Sequence, residues 1–407
     1  MPRHGREVYV RRRIAVGAVA LVGLGAIGLG GYSAVALGLP LPETIPVAAA
    51  PQLPAGAPAV PTPADYGSSG IGAVGWDAPL VIAGDAAPRP IASVTKIVTA
   101  LIALDRMPIT EGDGPLRELS AQDEQYYADA IAEGESRVAA YEGSVISERD
   151  VLEAMLVSSS GNHARTLVDW VFGSQDAFAA AAAEWLSANG LAGTTILEPT
   201  GVDPGNTSTI PDLIRIGELA LANPVTAGIV AQGSAHIPDV GEITTTNALL
   251  SVDGIDGIKT GTLDEAGACL LFSADVVVGE RTVTLVGAVL GGPDHATVNE
   301  SIRTLLASAV AGFQELSVPA GTDFGDYTTR WSASADAVSS QNATFLVWGA
   351  ETLVAEVELA PVVTGEAGQV VGSATLASPR ERVQVELRLD APLPDPGAQW
   401  RWSNPGR

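Results

Sequence analysis

Lysine is nearly absent from this chain. Of 22 basic residues in 407, only Lys96 and Lys259 are lysine; the others are arginine. Arginine keeps its proton inside a protein, whereas a buried lysine can lose its proton near neutral pH. A position that must deprotonate therefore has to be lysine. Cysteine is scarcer still. Cys269 stands alone in an apolar run, which excludes an intramolecular disulfide without excluding an exported protein. The four histidines (His4, His163, His236, His295) are scattered and show no metal spacing such as His-Glu-x-x-His, so the sequence calls for no metal and no cofactor. Positive charge is short overall. The net charge of -25 argues against nucleic acid as a partner.

The little positive charge there is collects at one end. Residues 1–13 hold Arg3, Arg6, Arg11, Arg12 and Arg13 against the single acid Glu7. Residues 14–39 then carry no charge at all and are long enough to cross a bilayer. Arginines before an apolar span stay in the cytoplasm, which predicts a single-pass membrane protein with the remainder outside the cell. The alternative is a signal peptide cut after Ala34-Val35-Ala36 and a secreted product. Residues 40–64 are rich in proline and alanine, with eight prolines from Pro40 to Pro63, and read as a semi-extended spacer without a core.

Globular sequence begins near Asp65, and 407 residues suggest two or three domains. Residues 70–81 read as short strands around a turn. Residues 93–105 read as a helix whose apolar positions surround it almost completely, so it should be buried. Ser93 then sits at the N-terminus of that helix with Lys96 one turn on, on the same face, where it can activate the hydroxyl as a nucleophile. Residues 106–146 are polar, acidic and hard to place. Ser147 before Glu148-Arg149-Asp150 looks like a capped helix start. That helix breaks at Ser158-Ser159-Ser160-Gly161-Asn162, a cluster that on its own is no more than a capped loop. Helices follow over 178–189 and 210–222. Residues 257–262 form a strand with glycine where something approaches closely. Strong strands at 268–278 and 282–289 meet at a tight turn, and 298–313 is a closing helix.

After residue 316 the pattern changes to short alternating strands. Val383, Val385, Leu387 and Leu389 alternate with polar neighbours, the period of a half-buried strand. Residues 316–407 thus read as a small C-terminal β-sandwich. It holds no catalytic cluster, and Trp400 and Trp402 read as packing rather than a ligand platform.

Three short elements stand in order: Ser93-Val94-Thr95-Lys96, Ser160-Gly161-Asn162 and Lys259-Thr260-Gly261. Together they resemble the signature of the penicillin-recognising serine enzymes. The flanking residues are similar to those of the low-molecular-mass penicillin-binding proteins, the serine D-Ala-D-Ala carboxypeptidase family. Pro90-Ile91-Ala92 precedes the first motif, Leu156-Val157-Ser158-Ser159 the second and Asp256-Gly257-Ile258 the third, and Pro199-Thr200-Gly201-Val202-Asp203 lies between. The resemblance covers about residues 66–315. It implies an α+β catalytic domain over 65–315, with an antiparallel sheet flanked by helices and a helical lobe, followed by the β-domain.

The resemblance also implies the roles. Ser93 would attack the penultimate D-Ala carbonyl of a peptidoglycan pentapeptide ending in D-Ala-D-Ala. Lys96, its pKa lowered by burial beside a second cation, would take the proton. Ser160 would relay a proton to the leaving amine, and Asn162 would orient Lys96 and the substrate amide. The Ser93 and Thr262 N–H groups would form the oxyanion hole, worth ~3 kcal/mol per donor. Lys259 would attract the terminal carboxylate, with Thr260 beside it and Gly261 following. β-Lactams would acylate Ser93 as inhibitors. One departure is Glu198, which stands where the family often has asparagine. It reads as a surface acid on a loop, or, in a β-lactamase alternative, as the residue that positions a deacylating water. The other alternative is a non-catalytic, membrane-tethered peptidoglycan-binding protein.

Overall fold

A computed structural model describes residues 4–406 of the chain. Arg3 lies outside the described residues, and of Arg6 and Glu7 only the helical backbone is described. Two compact units emerge. One spans Ala57–Glu315 with Trp348–Ala350; the other joins Leu316–Val347 and the chain from Glu351 onward to the N-terminal residues up to Gly56.

The larger unit is built on a five-stranded antiparallel sheet. Its strands run in the order Ile255–Leu263, Gly267–Val278, Arg281–Gly292, Ser68–Ala73, Val81–Gly84. The helices Ile210–Ala222 and His295–Val310 pack on this sheet. Gly217 sits where a Cβ would lie 2.5 Å from the Val286 side chain, so only glycine lets the first of these helices come this close.

A helical lobe holds Ala121–Ala132, Glu148–Leu156, Gly161–Phe172 and Gln175–Ala188. Running through the middle is the Thr95–Arg106 helix, with every residue from Thr95 to Leu104 buried. Its all-round apolar surface requires that central place. The starts of these helices are fixed locally. Ser147 and Asp150 form a reciprocal capping box, and Ser160 and Thr209 cap the helices that follow them.

Three regions differ from the sequence expectation. The segment 106–146 contains a strand, Leu116–Glu118, paired with Val145–Ser147, and the helix Ala121–Ala132, which starts at a Ser120–Asp123 capping box. The short helix Pro224–Val230 and the hairpin of Ser234–Ile237 with Gly241–Thr244 were not anticipated. The closing helix begins earlier, at His295 behind an Asp294 cap, and ends at Val310, so that Phe313 opens a strand.

In the smaller unit, a six-stranded antiparallel sheet runs Val47–Ala48, Asp323–Thr328, Ser334–Ser339, Arg382–Leu389, Val370–Ala377, Val354–Leu359. The strands Phe313–Val318 and Ala343–Trp348 pair with each other and belong to this unit over residues 316–318 and 343–347. Phe324, Tyr327, Phe345, Leu376 and Leu387 form the shared core. The proline-rich spacer is corrected here. Its Val47–Ala48 is an edge strand on Asp326 and Gly325, Thr44 bridges to Val362, and Leu53 packs on the core. Proline cannot donate to a ladder, so pairing is confined to short pieces between prolines, at the sheet edge.

The N-terminal helix, His4–Gly38, includes Val8–Gly38, a span that contains an 18-residue stretch of mean hydropathy 2.1 and is long and apolar enough to cross a membrane. Trp400 packs edge-on against Trp331, and Trp402 against Tyr32 at the end of that helix.

Candidate active site

Between Ile91 and Leu104 every residue is buried except one, Ser93. It lies in a tight turn, Ala92–Val94, at the head of the central helix. Ala92 adopts φ +47°, a conformation that L-residues rarely hold unless the surroundings impose it. Ser159 (φ +62°) likewise precedes Ser160. Both serines of the site are thus presented by a strained residue.

The Lys96 ammonium lies 2.9 Å from Ser93 Oγ and donates to the Thr200 carbonyl at 2.5 Å. Burial pushes its pKa down to about 8; the carboxylates of Glu198 and Glu135 oppose that shift, and the Arg165 guanidinium adds to it. A lysine so placed is a base near neutral pH.

Ser160 and Asn162 are fully buried. The Ser160 hydroxyl is 2.7 Å from Asn162 Oδ1 and 2.8 Å from His163 Nδ1, and it accepts the Val138 N–H at 3.2 Å. The Asn162 carboxamide donates to the Val138 carbonyl and accepts the Val138 N–H. It makes no bond to Lys96, contrary to the expectation. Its partners are Ser160 and the Val138 backbone, because the helix that Ser160 caps turns Asn162 towards that residue.

The third motif lies on the Ile255–Leu263 strand, at the edge of the sheet facing the Ser93 turn. Gly261 is the point of closest approach. A Cβ there would sit 2.9 Å from the Ile91 carbonyl and 3.2 Å from the Ser93 nitrogen. Lys259 is buried, donates to the Thr260 carbonyl at 3.1 Å, and is held well below its ordinary pKa by burial and by the Lys96 charge. Thr260 Oγ1 bonds Thr246 Oγ1, and the exposed Thr262 hydroxyl meets His295 Nε2 at 2.6 Å. Ser93, Lys96 and the Lys259–Thr262 strand therefore converge, with the Ser160 pair anchored in the lobe.

Glu198 is neither a surface acid nor a free base. It is buried, and its two oxygens accept from the Thr200 N–H and hydroxyl, both at 2.7 Å, the Gly201 N–H at 2.5 Å, the Asp203 N–H at 3.4 Å and the Asn206 amide at 2.6 Å. The carboxylate closes the turn that presents the Thr200 carbonyl to Lys96.

Thr200, Val138, His163, Thr246 and His295 went unassigned in the sequence. His163 stands three residues after Ser160, the spacing at which a helix returns a side chain to its cap, and that spacing could have revealed it. The others reach the site through tertiary contacts with no local pattern.

A sequence profile described as D-alanyl-D-alanine carboxypeptidase matches residues 80–293. Among curated proteins, the chain is similar to the D-alanyl-D-alanine carboxypeptidase DacB2 of Mycobacterium tuberculosis, 33% identical over 42% of this chain and 58% of that one. It is also similar to the D-alanyl-D-alanine endopeptidase of Escherichia coli K12, 30% identical over 49% and 63% of the two chains. The match thus spans about six-tenths of the length of these relatives. Among solved structures, penicillin binding protein 5 from Haemophilus influenzae shares the fold across 86% of this chain and all of its own (TM-score 0.56, 18% identity). The Streptomyces K15 DD-transpeptidase shares it across 62% of this chain and 98% of its own (TM-score 0.55, 23% identity).

Proposed function

The chain belongs to the D-alanyl-D-alanine carboxypeptidase family, and from that premise we propose that it removes the terminal D-alanine of peptidoglycan stem peptides through an acyl-enzyme on Ser93. The observation that carries this reading is the 2.9 Å contact between Ser93 Oγ and a buried lysine whose pKa lies near 8. Ser93 Oγ attacks the penultimate D-Ala carbonyl as Lys96 Nζ takes its proton. The C–N bond breaks, the electron pair stays on the departing nitrogen, and Ser160 supplies the proton that neutralises it. Water then cleaves the Ser93 ester, releasing the shortened peptide. The Ser93 and Thr262 N–H groups face the developing oxyanion, and the Lys259–Thr262 strand with the His295 ring receives the terminal carboxylate. A β-lactam presents the same amide in a ring and leaves Ser93 acylated.

The engagement of both Glu198 oxygens by its own loop argues against a β-lactamase that uses this residue as a deacylating base. A peptidoglycan-binding module without catalysis has no use for a lysine kept beside a serine at the cost of burying its charge. Cleavage of cross-linked peptides is a second activity suggested by the endopeptidase names of two relatives. We place the site on the outer side of the membrane, held there by the N-terminal helix. The test is release of D-alanine from a pentapeptide ending in D-Ala-D-Ala. The purified protein should release it and Ser93→Ala should not; no release by the wild type would overturn the reading.

A further inference from the structure

The hydroxyl of Ser160 has one hydrogen and two lone pairs, and the structure surrounds it with more partners than a capped helix needs: besides the capping His163 N–H, at a long 3.5 Å, the closer Val138 N–H at 3.2 Å, Asn162 Oδ1 and the His163 ring. Donor counting fixes who gives and who takes. The Asn162 amide cannot be reversed, because its nitrogen donates to the Val138 carbonyl and its oxygen accepts the Val138 N–H. The Ser160 proton must therefore point at Asn162 Oδ1, 2.7 Å away, or two bare oxygens would face each other. The His163 ring, 2.8 Å from Ser160 Oγ through Nδ1, is then left to donate. That tautomer also suits the far side of the ring. His163 is fully buried and no described group bonds Nε2; a buried lone pair without a partner costs less than a buried N–H without one.

We propose that His163 is a positioning residue that acts through Ser160: its Nδ1–H, together with the Val138 N–H, stabilises negative charge on Ser160 Oγ while the Ser160 proton passes to the leaving amine. This rests on the reading of the site given above. The step balances. The Ser160 proton moves to the departing nitrogen as the C–N bond breaks, and Oγ regains a proton from the Lys96 ammonium, which had taken it from Ser93. His163 neither gains nor loses a proton. Burial holds its pKa down at about 4, so the ring is neutral in the working range and serves as a fixed dipole. The placement follows from the fold, since Ser160 is the N-cap of its helix and His163 the third helical residue, whose side chain points back at the cap.

The experiment compares two substrates in the same enzyme sample. One is a peptide ending in D-Ala-D-Ala, whose amine must be protonated to leave. The other is a thioester analogue, whose thiolate leaves without a proton. In His163→Leu, kcat/KM for the peptide should fall by about 100-fold, the effect of losing one such donor, while the thioester stays within about three-fold of wild type. His163→Asn, whose amide nitrogen reaches the Nδ1 position, should recover most of the peptide activity. A partly unfolded preparation lowers both rates alike and leaves their ratio untouched. If the leucine variant does not fold, His163→Gln, whose amide extends past the Nδ1 position, takes its place. Equal loss on both substrates, or an asparagine variant no better than leucine, would overturn the proposal. A wild type inert towards both substrates would instead overturn the reading of the site, and the role of His163 with it.

Discussion

The carbonyl oxygen of Thr200 accepts a hydrogen bond from the Lys96 ammonium at 2.5 Å, across 104 residues of chain. This contact couples the loop after Glu198 to the Ser93–Lys96 pair. It holds Lys96 beside Ser93 and ties its position to a turn that a carboxylate closes.

The first consequence concerns pH. Only neutral Lys96 can take the Ser93 proton, and burial lowers its pKa from the usual 10.5 to about 8. The rate of acylation by penicillin should therefore rise with pH through about 8 and level off above it. Lys96→Arg keeps a cation that does not titrate, and should lower the rate by at least about 1000-fold while the protein stays folded. A flat profile between pH 6.5 and 9, or near-normal acylation by that variant, would remove Lys96 as the base.

Glu198 should matter to geometry and not to deacylation. Glu198→Ala deletes several charge-assisted bonds at once and should destabilise the larger unit by about 3 kcal/mol. Glu198→Gln should slow acylation by roughly 10- to 100-fold through displacement of Lys96, with the lifetime of the penicilloyl adduct little changed. Normal acylation with an adduct that no longer hydrolyses would mark Glu198 as a deacylating base.

Gly201 tests the same loop from its other side. It holds φ +87°, and a Cβ there would lie 2.0 Å from the Ala92 carbonyl and 2.8 Å from the Ser93 nitrogen. Gly201→Ala should lower the unfolding midpoint and reduce acylation by more than about 100-fold, because the turn presenting Ser93 must move. A variant that melts and reacts as wild type does would show that the loop is free to shift.

These residues also show what the sequence could and could not reveal. The approach of Lys96 to Ser93 was legible because residues three apart in a helical turn share a face, and their side chains lie 2.9 Å apart although Ser93 sits in the turn that precedes the helix. The helix Ile210–Ala222 lies where the sequence reading put it, and the structure adds the Thr209 cap at its start. Glu198 was not, since its role exists only once the turn closes on it. The pairing of Val47 with Asp326 was equally hidden, because strand partners far apart in the chain leave no local pattern. Asn162 was expected against Lys96 and instead bonds Ser160 and Val138. Its neighbour Val138 lies in the polar stretch 106–146, whose periodicity is too weak to place.

The N-terminal helix predicts fractionation. The Val8–Gly38 span, with its 18-residue stretch of mean hydropathy 2.1, should keep the protein with membranes through a high-salt wash. A soluble species beginning near Leu37 would replace the anchor with a cleaved signal.

The central claim is that Ser93 is the nucleophile. Its most direct test is mass spectrometry of the protein after incubation with penicillin, with the modified peptide mapped. One penicilloyl group per chain is expected, on Ser93, lost in Ser93→Ala and prevented by prior incubation with excess D-Ala-D-Ala peptide. An adduct at any other residue, or none in a protein shown to be folded, would contradict it.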